Sequence, residues 1–312
     1  MSAANTPPAG DSSEPIAPRE DTRLTATTEN TAKTDCPSTA PATVIKNLAT
    51  EIGVFPGRTA SDDTLSDLLS PSLALTLFTI FLKNYARWVR FDPESDPAVL
   101  LADVARSPLL LCACSLIAVR HTNEDLATSL APKLHRCAST LVSAALLTSP
   151  QPIEFFKAAV ILSMWSTTVD QVPFSMDSWL LSGFALQHCQ STALFEDVTN
   201  PTRPARFTES NGDYWCIWNF LCMVHLQYCV GMSRRPILQS WQIERCRAVV
   251  DSGRATNHEQ RMVAEVFLYA TLSRHSSPES VDVLRALAAL RDWKRDWGFL
   301  LGTYIYKFVS SS

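Results

Sequence analysis

The sequence predicts an all-α fold: a single large multi-helix domain over residues 45–312, preceded by a disordered N-terminal tail over residues 1–44. Three observations carry this. Apolar residues recur at helical spacing through one segment after another, most densely from Tyr214 to Pro236. Glycine is scarce, nine in 312 residues, whereas sheets and barrels need many glycine turns. No run alternates convincingly with period two, and no Asn-Gly or Asp-Gly hairpin turn appears.

The tail comes first. Residues 1–44 are mostly Ala, Ser, Thr and Pro with scattered charge, and no aromatic residue precedes Phe55. Such a segment buries too little apolar surface to offset its ordering entropy. It lacks the basic and apolar regions of a signal peptide, so the nine cysteines are read as reduced thiols.

Helices are then expected over 61–69, 71–91, 97–105, 108–121, 124–147, 151–169, 176–194, 213–231, 239–250, 257–275 and 278–297. Four sites share one grammar: Ser70-Pro71, Ser107-Pro108, Ser149-Pro150 and Ser277-Pro278. A serine at the N-cap offers its oxygen to the free amides of the first turn, and proline at the first helical position has no amide to leave unpaired. Residues 108–121 are almost wholly apolar and should be central. Residues 196–212 form a polar loop with two prolines, a candidate for a softer seam in the domain.

The stretch Tyr214–Pro236 organises the rest. Tyr214, Ile217, Trp218, Leu221, Val224 and Tyr228 form one apolar face, and Trp215, Cys222, Leu226 and Cys229 fill a second. A helix apolar all round is either the centre of a large helical protein or a membrane span. Asn219, His225 and Gln227 lie on different faces and would be costly in lipid, which favours the protein interior. Asn211 or Asp213 can cap its start, and Gly231 and Pro236 bracket its end. His225 reads as a hydrogen-bonded core histidine.

Catalytic signatures are missing. There is no phosphate-binding loop, no Gly-x-Gly-x-x-Gly and no nucleophile elbow. His258-Glu259 lacks the second histidine of a zinc-protease helix. Cys112-Ala113-Cys114 has one intervening residue rather than two. The net charge of −4 forces no basic face that would bind nucleic acid. No catalytic residue, metal site or cofactor is expected. A rival reading is an all-α enzyme with a dispersed site, but Asp62-Asp63 lacks the third aspartate of an acidic metal motif.

Four segments carry a resemblance. Ser107-Pro108-Leu109-Leu110-Leu111 through Ile117-Ala118-Val119-Arg120 resembles a helix in the regulatory middle region of fungal zinc-cluster transcription factors. Leu69 to Phe81 with Phe91-Asp92-Pro93 resembles the segment before it. Trp215 to Arg234-Arg235-Pro236 resembles the family's Trp … Gly-Arg-Pro element, departing at the glycine, and Leu290 to Trp297 resembles the Leu-x-x-Trp-x-x-x-Trp segment that follows. The resemblance implies a non-catalytic transcription regulator of the nucleus. The family's six-cysteine zinc cluster is not matched, since only Cys36 precedes Cys112, so direct DNA contact through a zinc cluster is not carried over. The expected partners are other transcription regulators or a full-length zinc-cluster factor, in a homo- or heterodimer, or a small effector, with no membrane. The expected role is control of a metabolic or secondary-metabolite pathway, the alternative being a truncated inactive relative. An effector or partner contact is expected near Trp215, Trp218 and Arg235.

Overall fold

The computed structural model describes residues 65–92, 94–165, 168–169, 172–173, 176–275 and 283–300. The tail 1–44, the start of the domain at 45–64 and the Ser277-Pro278 cap lie outside them. Within them the protein is helical, as expected. The helices are α1 (Leu65–Leu68), α2 (Pro71–Tyr85), α3 (Pro97–Val104), α4 (Pro108–Ala118), α5 (Glu124–Ala145), α6 (Ile153–Trp165), α7 (Ser178–Ser191), α8 (Glu196–Thr199), α9 (Gly212–Gly231), α10 (Ser240–Arg245), α11 (Ala248–Asp251), α12 (Asn257–His275) and α13 (Val283–Trp297).

The caps explain many of the starts. Ser70 Oγ accepts from Leu73 N at 3.3 Å, and Ser107 Oγ accepts from Leu110 N at 3.3 Å, each with proline next in the chain. Asp96-Pro97 does the same for α3, through Ala98 N at 2.9 Å. Asn123 caps α5 through Leu126 N at 2.9 Å. Each such oxygen satisfies one otherwise open amide and stabilises the helix by about 1 kcal/mol. Pro132 sits inside α5, but on its exposed side. The carbonyl it leaves unpaired, that of Thr128, also lies on the exposed side, where water can bond it.

Two helices have no polar face, and the rest pack around them. α4 is buried along nearly its whole length, with Cys112, Ala113, Cys114, Leu116 and Ile117 fully enclosed, and it packs on α2, α5 and α6. α9 is buried continuously from Trp215 to Leu226 and packs on α7, α12 and α6. α6 therefore touches both central helices. α13 covers α12, where Trp293 Nε1 donates to Ala264 O at 2.8 Å. All described residues fall in one compact unit.

The structure corrects several local expectations. Ser149-Pro150 does not open a helix: α6 begins only at Ile153. α6 ends at Trp165, whose carbonyl accepts Arg120 Nη2 at 2.6 Å, and Thr168–Val169 then pairs antiparallel with Val172–Pro173. The β-branched Thr168 and Val169 favour that extended backbone over a continued helix. The loop 196–212 contains α8 and is not a seam. Arg245 donates to the carbonyls of Val198 (2.7 Å), Asp197 (2.6 Å) and Arg203 (2.9 Å), tying the loop down. The 239–250 stretch is two short helices, α10 and α11, rather than one.

Candidate functional site

Asn211 holds the N-cap position of α9, as the sequence reading allowed, but its side chain makes no capping bond, and Asp213 lies inside the first turn. Asn211 is turned back into the preceding loop, accepting from Thr208 N (2.7 Å) and donating to Arg206 O (3.0 Å). Asp213 is instead part of a charge network. After α2 the chain makes a short 3-10 turn, Ala86–Val89, and Arg90 leaves it in the left-handed region at φ 53°. That turn aims the Arg90 guanidinium at two carboxylates. Its Nε is 3.1 Å from Asp213 Oδ1 and its Nη1 is 2.7 Å from Glu259 Oε1. The other Asp213 oxygen accepts from Lys157 Nζ at 3.4 Å, and that ammonium lies 4.8 Å over the Phe91 ring. Two cations thus face two carboxylates, which is what partly buried charges require.

Local sequence explains how each group arrives. Glu259 is the fourth residue of a Thr256-x-x-Glu259 capping box: its Oε2 accepts from Thr256 N at 2.8 Å, and Glu259 N donates to Thr256 Oγ1 at 3.3 Å. Its remaining oxygen is free to take Arg90. Gly212 makes room, because a Cβ there would stand 3.1 Å from the guanidinium carbon and both its terminal nitrogens.

This network floors a cleft of about 770 Å³ at the N-terminal end of α9. Arg87 and Arg254 stand on its rim, Phe91 and Phe207 form apolar walls, and His258 and Cys216 lie deeper. The His258 ring meets Trp88 edge-on at 4.8 Å and lies 5.8 Å from Phe220. Burial, and then the positive charge of Arg87, hold its pKa below the usual histidine value, so it is neutral at pH 7. Burial pushes the Cys216 thiol well up, which leaves it protonated and a poor nucleophile.

The opposite end of α9 is closed. Ser233, at φ 52°, takes the left-handed position after the helix, where glycine is usual, and Arg234 N bonds back to Cys229 O at 2.9 Å. Arg234 is thereby brought to Asp177, with Nη1 3.0 Å from both carboxylate oxygens, and its guanidinium lies 4.7 Å over Trp179. His225 is the core histidine the sequence suggested. Its Nε2 accepts from Ile237 N at 3.2 Å, so Nδ1 carries the proton and donates to Ser182 Oγ at 3.2 Å, and Ser182 Oγ donates on to Ser178 O at 2.6 Å. Burial lowers its pKa to about 4.

The predicted contact residues do not form one site. Trp215 and Trp218 are fully buried, Trp215 Nε1 donating to Arg206 O at 3.2 Å. Arg235 is exposed beyond the far end of α9, about 20 Å along the helix axis from Trp218. Residues with this burial are packing, and the cleft lies one turn from Trp215 at the other end. The signals that could have found it were the Thr256-x-x-Glu259 box and the glycine opening an otherwise bulky helix. Among the described residues no cluster of His, Cys, Asp or Glu could hold a metal ion. No described helix is long and apolar enough to cross a membrane.

The family model of the middle domain of the transcriptional activator of proteases prtT matches residues 67–312. The chain belongs to this family. It is 28% identical over 248 residues to the Aspergillus clavatus transcriptional activator of proteases prtT, covering 78% of this chain and 39% of that protein. An uncharacterised transcriptional regulatory protein of Schizosaccharomyces pombe is 27% identical over 256 residues, covering 77% and 45%. The Penicillium rubens prtT activator is 26% identical over 278 residues, covering 84% and 41%. The chain thus spans less than half the length of these relatives. No solved structure matches. The prtT-like middle domain contains all four segments that resembled the fungal transcription-factor middle region, and in it the Trp215 and Trp218 of the third segment are core residues.

Proposed function

We propose that this prtT-like chain regulates transcription in the nucleus without catalysing a reaction, acting through protein partners and through an effector held in the cleft beside Arg90. One observation carries the reading: the middle-domain model of a transcriptional activator extends over residues 67–312, nearly the whole described domain. The partners are other transcription regulators or a full-length zinc-cluster factor, joined as a homo- or heterodimer. Because several relatives are named as activators of proteases, protease genes are the first set to measure, ahead of other metabolic or secondary-metabolite genes.

The test is deletion of the gene with transcript profiling, alongside imaging of the tagged protein and mass spectrometry of what co-purifies with it. The reading expects nuclear signal, altered transcripts and recovery of a transcription regulator. Absence from nuclei together with an unchanged transcript profile would overturn it.

A further inference from the structure

We propose that Cys137 and Cys112 form a thiol pair for reversible oxidation: Cys137 attacks a small-molecule disulfide from solvent, and Cys112 resolves the adduct into a disulfide that staples α5 to α4. This modification site lies outside the cleft beside Arg90, goes beyond the regulatory reading above and does not depend on it.

Helix packing puts the two sulfurs together. Cys112 belongs to the buried helix α4 and is fully enclosed. Its Sγ donates to Leu134 O at 3.3 Å, across the contact between α4 and α5. A helical carbonyl points towards the turn that follows it, so this sulfur lies level with residues 137 and 138 of α5. Ala138 N donates to the same sulfur, and the Cys137 thiol is within hydrogen-bond reach of it. Closing that contact to the bonded separation of about 2.05 Å is within the range of one side-chain torsion at Cys137.

The two thiols are suited to different steps. Cys137 is half-buried at the edge of the core, whereas Cys112 has no exposed surface. The bond from Cys112 lowers the Cys137 pKa to about 7, so that about half of it is thiolate at neutral pH. The same bond, and then burial, push the Cys112 thiol up and keep it protonated. An accessible thiolate backed by a second thiol is the arrangement that oxidants select.

The steps balance. The Cys137 thiolate attacks one sulfur of R–S–S–R, a Cys137–S–R bond forms, and RS⁻ leaves and takes a proton from water. Cys112 then gives up its proton as its sulfur attacks the Cys137 sulfur, and the second RS⁻ leaves and is protonated. Two protein thiols are oxidised to one disulfide, and one small-molecule disulfide is reduced to two thiols. The protein also holds its own comparison. Cys222 and Cys246 lie within hydrogen-bond reach of each other, but both are fully enclosed, so neither offers a thiolate to solvent.

The experiment uses the purified full chain with oxidised glutathione at neutral pH, read by intact mass and by peptide mapping without reduction. Every protein carries Cys36→Ser, which removes a thiol outside the described residues. The peptides of Cys112 and Cys137 are expected to become joined with the loss of two hydrogens, and dithiothreitol to separate them again. Linkage of Cys222 to Cys246 should be at least about ten-fold slower, since susceptibility follows thiolate character and exposure. Cys112→Ala should trap glutathione on Cys137 as a stable mixed disulfide. Cys137→Ser should leave Cys112 unmodified. Should Cys112→Ala not fold, the mapping of the parent and of Cys137→Ser still decides. No link between Cys112 and Cys137 in the parent, glutathione on Cys112 in Cys137→Ser, or a Cys222–Cys246 link that forms as fast would each overturn the proposal.

Discussion

The two ends of α9 hold similar chemistry in different states. Each brings an arginine to a carboxylate beside an aromatic ring: Arg90 to Asp213 and Glu259 near Phe91, and Arg234 to Asp177 over Trp179. At the C-terminal end each of these groups has a partner and the chain closes over them, with His225 bonded on both ring nitrogens. At the N-terminal end the network is balanced as well, yet it floors an open cleft. A saturated polar cluster rigidifies a core, and only where it stays open can it also meet a ligand.

The largest effect should come from breaking the open end's floor. Glu259→Ala removes both the capping box and the partner of Arg90, and should cost about 3 kcal/mol in denaturant unfolding. A cost under about 1 kcal/mol would mean that the network contributes little beyond surface pairing.

The closed end should show itself through acid. His225 is neutral in the fold, with a pKa of about 4 against 6.5 when unfolded. The unfolded chain therefore takes up the proton first, and stability falls as pH drops from about 6.5 towards 4, by on the order of 3 kcal/mol from this residue. Unfolding free energies across that window, compared with His225→Gln, should show a flatter slope in the variant. His135, whose pKa burial also lowers to about 4, adds to the slope in both proteins.

The two neighbouring arginines sharpen the comparison further. Arg234→Ala should cost about 2 kcal/mol, since it frees the carboxylate that caps α7, whereas Arg235→Ala should stay within about 0.5 kcal/mol. Equal losses would contradict the geometry that separates them. The smallest pair concerns the glycines. Gly212→Ala should destabilise by about 1 kcal/mol because its Cβ meets the Arg90 guanidinium at 3.1 Å. Gly231→Ala, with nothing within 4 Å, should stabilise by about 0.5 kcal/mol. Both are read from the shift in the denaturation midpoint.

Much of the fold was legible. Ser70, Ser107 and Asn123 announced their helices because capping is decided within four residues. The apolar run after Tyr214 announced a central helix because a side chain with no polar neighbour on any face must be enclosed. Ser149-Pro150 misled, since the same dipeptide serves a turn as readily as a cap, and only the following backbone decides between them. The candidate site was far less legible. Trp215 and Trp218 stood out as large and aromatic, and for the same reason they filled the core. Arg234 and Arg235 are adjacent in sequence and cannot be told apart there, yet the left-handed Ser233 sends one to Asp177 and leaves the other in water.

By itself, then, the sequence determined the helical class, most helix starts, the identity of the central helix and, through short segments in their right order, the family. Helical periodicity and capping act over three or four residues, so one chain read locally contains them. Only the tertiary structure decided the site. Arg90 and Glu259 are 169 positions apart, and their meeting depends on how α2, α9 and α12 pack. The room left by Gly212, the pairing that silences Arg90 and the geometry that keeps Arg87 and Arg254 clear of the described carboxylates are relations between distant segments, fixed only when those segments come together.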